Sequence, residues 1–216
     1  MKQFTKEEVR QFILDEKLIA IIRRIPQKHL FKTIETILEA GIKVAEITLN
    51  TDDSINLIKL LHKNFCDCML IGGGTVTSAK AAGQAIEAGA RFIVTPIMLP
   101  EVIEVCNDLD ITVIPGAFSP TEIFQAYYLG ADIIKVFPAN TLGASYFKDL
   151  QGPMPEIPLA AVGGITLENG RAFLQAGANV LGVGSSLISR ELIYAENWLE
   201  LKELARKFNE LVHQIN

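Results

Sequence analysis

The stretch Ala131-Asp132-Ile133-Ile134-Lys135-Val136-Phe137-Pro138-Ala139-Asn140 decides how this chain is read. It is a β-branched apolar run, interrupted by one lysine and closed by a proline. A run this apolar forms a strand buried on both faces, the habit of parallel sheets covered by helices. The lysine is the anomaly, because lysine is almost never fully buried unless it is paired. A buried lysine gives up its charge readily and becomes a nucleophilic amine, the starting point of Schiff-base chemistry.

On either side of this stretch the same unit recurs. Apolar runs at Leu18–Ile22, Val44–Leu49, Met69–Ile71, Phe92–Val94, Ile111–Ile114, Ile133–Phe137, Leu159–Val162 and Val180–Val183 read as strands. Helical periodicity fills the intervals, at Leu30–Ala40, Ser54–His62, Ser78–Ala88, Thr121–Leu129 and Leu167–Ala176. Four of these helices end in Ala-Gly or Leu-Gly, at Gly41, Gly89, Gly130 and Gly177, the expected carboxyl-terminal cap. Eight strand–helix units predict an α/β fold, a single-domain (β/α)8 barrel spanning residues 1–216. An open doubly wound sheet is the alternative. Residues 5–16 predict an extra amino-terminal helix, with Thr5 and Glu8 spaced as a capping box. Residues 195–214 predict the last helix, with Trp198, Leu201, Leu204, Ala205, Phe208 and Leu211 along one face.

The bulk numbers exclude several classes. With 216 residues and 49% hydrophobic content, the chain can bury a large core. A net charge of −5 and the lack of a basic run argue against nucleic acid as a partner. No apolar stretch approaches the roughly 20 residues needed to span a bilayer. Nothing at the start reads as a secretory signal, and three cysteines are too few for a disulfide scaffold, so a cytoplasmic protein is expected.

Barrel active sites gather at the carboxyl ends of the strands. On the second strand Val44, Glu46 and Thr48 share one face and Ala45, Ile47 and Leu49 the other; the apolar set suits the helices, which puts Glu46 in the lumen. There it is either half of a structural ion pair or a general acid/base tuned by burial. The same alternation groups Ile133, Lys135 and Phe137, so both ionisable groups are expected to face each other. Gly72-Gly73-Gly74-Thr75 ends the third strand, either a tight barrel turn or an opening for a ligand with a hydroxyl beside it. Thr95-Pro96 and Pro115-Gly116 end the fourth and fifth strands and bring no charge. Gly163-Gly164 and Gly184-Ser185 end the seventh and eighth, where barrels commonly bind phosphate through backbone N–H groups. Arg23, after the first strand, is either an anion ligand or solvated charge. His29, His62 and His213 lie away from the strand ends and Cys66 and Cys68 lack partners, so no metal is expected.

Taken together, Ala45-Glu46-Ile47-Thr48-Leu49, Gly73-Gly74-Thr75-Val76, Lys135-Val136-Phe137-Pro138 and Val162-Gly163-Gly164 closely resemble the 2-keto-3-deoxy-6-phosphogluconate / 4-hydroxy-2-oxoglutarate aldolase family. The likeness runs over nearly the whole chain. It implies a class I aldolase on a (β/α)8 barrel, without a cofactor and usually trimeric. The implied reaction cleaves a phosphorylated 2-keto-3-deoxy acid to pyruvate and glyceraldehyde 3-phosphate. By this resemblance Lys135 is the Schiff-base lysine and Glu46 the proton-transfer carboxylate. Arg23, Asn50, Thr75, Pro96 and Phe137 fall at substrate-binding positions, and Gly163, Gly164, Gly184 and Ser185 at the phosphate loops. Two positions depart from the family pattern. Asn50 stands where many members carry an arginine for the substrate carboxylate, and Ile97 where many carry glycine. Leu49-Asn50, Thr95-Pro96 and Ala161-Val162-Gly163-Gly164 are closer to the 6-phosphogalactonate aldolases of the same superfamily. The competing expectations are a phosphate-binding isomerase or epimerase without a covalent intermediate, a binding protein that has lost turnover, and a metal-dependent aldolase.

Overall fold

The structure is a computed structural model that describes residues 4–214, so the ends of the expected 1–216 domain lie outside the described residues. Its strands are β1 (Leu18–Ile22), β2 (Val44–Thr48), β3 (Leu70–Gly74), β4 (Phe92–Val94), β5 (Thr112–Ile114), β6 (Gly116–Ala117), β7 (Ile134–Val136), β8 (Leu159–Val162) and β9 (Val180–Val183). They pair in the order β5-β4-β3-β2-β1-β9-β8-β7-β6, and each ladder is parallel.

The two ends of that order are neighbours in the chain, separated by Pro115 alone. A proline has no N–H for a ladder. The expected fifth strand, Ile111–Ile114, is β5 and pairs with β4, while the chain just past the proline, Gly116–Ala117, forms a further segment that pairs with β7. The Pro115 carbonyl accepts from the Lys135 N–H at 2.9 Å, and the Gly116 N–H donates to Thr95 Oγ1 at 3.2 Å. Pro115 does not stop the strand; it hands the strand from one neighbour to the next and closes the barrel. The fold is thus a (β/α)8 barrel in nine strand segments, and the expected sixth, seventh and eighth strands are β7, β8 and β9.

Alternation along the strands sorts apolar side chains into two buried sets. Ala45, Ile47, Ile71, Ile93, Val113, Ile134 and Val136 pack outward among helix residues such as Ile34, Leu61 and Ile123. Ile19, Ile21, Val44, Leu70, Phe92, Ile133, Val162 and Val180 fill the lumen, joined by Val9 and Ile13. Gly72 is part of that filling, since a β-carbon on it would stand 2.5 Å from the Phe92 ring. The glycine leaves space for a side chain, where the sequence left open a ligand.

Val9 and Ile13 belong to the helix Lys6–Glu16, which stoppers the amino end of the barrel. Its start is the expected capping box: Glu8 N–H donates to Thr5 Oγ1 at 3.2 Å and Thr5 N–H to Glu8 Oε2 at 2.9 Å. Burying the two aliphatic side chains stabilises by about 1.5–3 kcal/mol each. Polar ties fix the docking angle. Lys6 Nζ lies 3.2 Å from Asp132 Oδ2, and Thr112 Oγ1 donates to the Lys6 carbonyl at 3.0 Å.

The last helix, Trp198–His213, buries Leu201, Ala205, Phe208 and Leu211, a spacing that keeps one face inward. Its cap is Asn197, whose side chain accepts from the Glu200 N–H at 3.3 Å. The helix Pro100–Asp108 was not expected from periodicity, although Pro100 at its start and Glu101 behind it mark an amino terminus. Among the described residues no helix is long and apolar enough to cross a membrane.

Candidate active site

Glu46 is 2% exposed on β2, and Lys135 is 4% exposed on β7. Lumen-facing parity brings them together from opposite sides of the barrel, as the alternation of each run predicts. Among the described residues, neither hydrogen bond nor contact ion pair joins them; each feels the other's charge through space. Burial is the larger influence on both. It raises the Glu46 carboxyl above the usual carboxylate range, with Lys135 and Arg23 pulling the other way. It lowers the Lys135 ammonium, with Glu46 opposing and Arg23 assisting. Both groups are thereby pushed toward their neutral forms, a carboxylic acid beside a free amine. That is the protonation pattern in which an amine attacks a carbonyl and an acid supplies the proton.

Gly74, at the end of β3, makes this arrangement possible. A β-carbon there would stand 2.5 Å from Glu46 Oε1 and 2.6 Å from its carboxyl carbon. The carboxyl group therefore lies directly over the Gly74 backbone. Thr75 follows with φ 54°, a left-handed conformation that is rare for a β-branched residue. Phe137 bends back over the lysine, with Lys135 Nζ 4.9 Å from its ring centroid. The same ring faces Gly163, where a β-carbon would come within 3.1 Å of it.

Above Lys135 opens a cavity of about 390 Å³. Arg23, Lys135, Phe137, Gly163, Gly164, Gly184 and Ser185, all predicted from the sequence, line it together. Gly163 and Gly164 adopt φ 98° and 72°, which only glycine takes at little cost. Asn169 braces their loop: its side-chain amide donates to the Gly164 carbonyl at 2.8 Å, and its Oδ1 accepts from the Thr166 N–H at 2.8 Å. Among the described residues no acidic side chain lines the cavity. Cationic side chains and glycine-rich strand ends suit it to an anion.

The remaining predicted residues sit outside that lining. Asn50 is exposed in the turn after β2. Thr75 and Pro96 are partly buried at the ends of β3 and β4. A β-carbon on Gly116 would run into the Pro96 carbonyl, so the fourth and fifth strand ends touch backbone to backbone. Thr95 Oγ1 bridges the same two ends, accepting from Gly116 and donating to the Ile97 carbonyl.

A family model described as "KDPG and KHG aldolase" matches residues 9–204. The chain belongs to this aldolase family. It is 30% identical over 210 residues to the 2-dehydro-3-deoxy-phosphogluconate aldolase of Haemophilus influenzae, covering 97% of this chain and 99% of that one. Identity reaches 35% over 171 residues with the 2-dehydro-3-deoxy-6-phosphogalactonate aldolase of Escherichia coli, covering 79% of this chain and 83% of the relative. Among solved structures, the KDPG aldolase of Legionella pneumophila, with pyruvate captured as a covalent carbinolamine intermediate, superposes with a TM-score of 0.85 at 28% identity. That match covers 91% of this chain and 96% of the other. These relatives are named aldolases, and this family member is a carbon–carbon lyase.

The aldolase's cavity also holds a residue that sequence reasoning missed. Arg190 lines it beside Arg23, and its Nη2 donates to the Arg23 carbonyl at 3.1 Å. It opens the short helix Arg190–Tyr194, too brief for periodicity to mark.

Proposed function

We propose that this family member is a class I aldolase that cleaves a 2-keto-3-deoxy-6-phospho sugar acid to pyruvate and glyceraldehyde 3-phosphate, and that it also accepts 4-hydroxy-2-oxoglutarate, giving pyruvate and glyoxylate. The observation that carries this reading is the neutral-leaning pair Lys135 and Glu46 beneath an anion-receptive cavity. Lys135 Nζ adds to the C2 carbonyl, and Glu46 protonates the carbinolamine oxygen so that water leaves. The iminium draws in the electron pair of the C3–C4 bond as Glu46, or a water it orients, takes the C4 hydroxyl proton and the aldehyde departs. The enamine regains a proton at C3, and water hydrolyses the iminium to release pyruvate and free lysine.

In this reading Gly163, Gly164, Gly184, Ser185 and Arg23 hold the phosphate, while Phe137 shields the iminium. Thr75, Pro96 and Asn50 line the pyruvate end. The likeness of Leu49-Asn50 and Thr95-Pro96 to the 6-phosphogalactonate aldolases, together with the 35% identity to the E. coli relative, supports the 6-phosphogalactonate epimer as the alternative substrate.

The same proposal takes residues 1–216 as one barrel domain, acting in the cytoplasm as a homotrimer. An apolar patch of Phe124, Tyr128 and Leu129, between 42% and 81% exposed and grouped with Met98 and Pro100 around one surface groove, supports association.

The test is to incubate the enzyme with pyruvate and borohydride and locate the adduct by peptide mass. A stable adduct on Lys135 is expected; a folded enzyme with none there removes the covalent mechanism. Pyruvate release measured on the gluconate-derived, galactonate-derived and unphosphorylated acids then ranks the substrates.

A further inference from the structure

We infer that Arg190 is a specificity-determining residue, the second guanidinium that grips the terminal phosphoryl group of the substrate. The inference rests on the proposed reading of the cavity as the site of a phosphorylated keto acid. Arg23 leaves the end of β1 and Arg190 follows the end of β9, and these strands are neighbours in the barrel. The bond from Arg190 to the Arg23 carbonyl ties the two loops together and sets the second side chain against the same wall of the cavity.

A guanidinium has five N–H donors. One serves the Arg23 carbonyl, and among the described residues neither arginine has a carboxylate within ion-pair distance. Two like charges held side by side repel each other unless an anion lies between them. A phosphate monoester carries about −1.5 to −2 charges near pH 7 and offers three acceptor oxygens, which suits two forked donors better than one. A carboxylate, with one charge and two oxygens, needs only one of them. Arg190 therefore separates phosphorylated acids from unphosphorylated ones.

The experiment compares the wild type with Arg190→Gln and Arg190→Lys, both at an exposed position that the core does not depend on. For the phosphorylated acid, Arg190→Gln is expected to raise KM about 10–100-fold with kcat held within a few-fold. That range matches the loss of one or two charge-assisted hydrogen bonds. The ratio of kcat/KM on phosphorylated acid to that on 4-hydroxy-2-oxoglutarate should fall by a similar factor. Arg190→Lys, which keeps the charge and loses the fork, should fall between them. A second readout is independent of turnover: calorimetric binding of glycerol 3-phosphate to the wild type and its weakening in Arg190→Gln. Unchanged KM, or equal loss on both substrates, overturns the role of Arg190. Wild type that binds glycerol 3-phosphate without cleaving any of the acids refutes the aldolase reading but leaves the phosphate grip standing. Wild type that does not bind glycerol 3-phosphate refutes the grip.

Discussion

Glu46 Oε1 lies 2.5 Å from the point where a β-carbon on Gly74 would stand. The carboxyl group and the strand end are therefore a single fitted unit. Gly74→Ala should push the carboxyl off its position and lower kcat by tenfold or more. Gly83→Ala is the control, because a β-carbon there meets nothing within 4 Å in the helix Ala79–Glu87. That change should stabilise by about 0.5–1 kcal/mol through helix propensity and leave turnover intact. Steady-state kinetics and denaturant melts on both variants test the contrast. Equal turnover in the two variants would sink the idea that Gly74 exists for Glu46.

Glu46→Gln keeps the shape of the buried side chain and removes its proton traffic. Turnover on the preferred acid should drop by about 10²–10⁴-fold, the usual contribution of a general acid/base. Denaturation should show a folded protein. Wild-type turnover in this variant would take Glu46 out of the mechanism.

Lys135→Met replaces a buried cation by an apolar chain of similar length. The lysine's folded-state pKa is lowered by burial, so its neutral form suits the fold and its charged form does not. The stability this group contributes is full above its unfolded pKa near 10.5 and is lost as pH falls through the lowered folded value. The variant should therefore be more stable than wild type at neutral pH, because the buried ammonium is gone and Glu46 is itself pushed toward its neutral form. Its advantage should shrink as pH rises toward 10.5. Urea melts at three pH values measure this, and an advantage that grows with pH would contradict the assigned direction.

Thr75 holds φ 54°, a conformation that costs an L-residue about 1–2 kcal/mol and a β-branched one more. Thr75→Asn should recover much of that, since asparagine tolerates the left-handed region. A melting midpoint higher than wild type with lower kcat/KM is the expected result. Such a pairing marks strain kept for function. A lower midpoint would mean that the threonine methyl group packs better than its backbone is strained.

Much of this arrangement was legible because side-chain alternation is a hard geometric rule. Two residues on facing strands, Glu46 and Lys135, needed only their parity to be placed in the lumen. The glycine strand ends at Gly163-Gly164 and Gly184 were readable for a related reason, as backbone positions that carry no side chain of their own. The same logic failed at Gly72 and Gly74, where the free space belongs to Phe92 and to Glu46; a single sequence does not say which neighbour fills a missing β-carbon. Pro115 marks a break in pairing, but whether a strand stops or changes partner depends on chain far away in sequence. Arg190 left no trace because five helical residues carry no period, and its neighbour Arg23 is 167 residues distant.

The helix Lys6–Glu16, wedged under the lumen, turns the barrel into a blind tube. Whatever enters above Lys135 must leave by the same door. On the proposed reaction the phosphorylated aldehyde occupies the outer part of that passage, and the three-carbon fragment stays tethered to the lysine beneath it. The aldehyde therefore departs first and pyruvate last. In product-inhibition kinetics, pyruvate should then be the competitive inhibitor and the aldehyde the noncompetitive one.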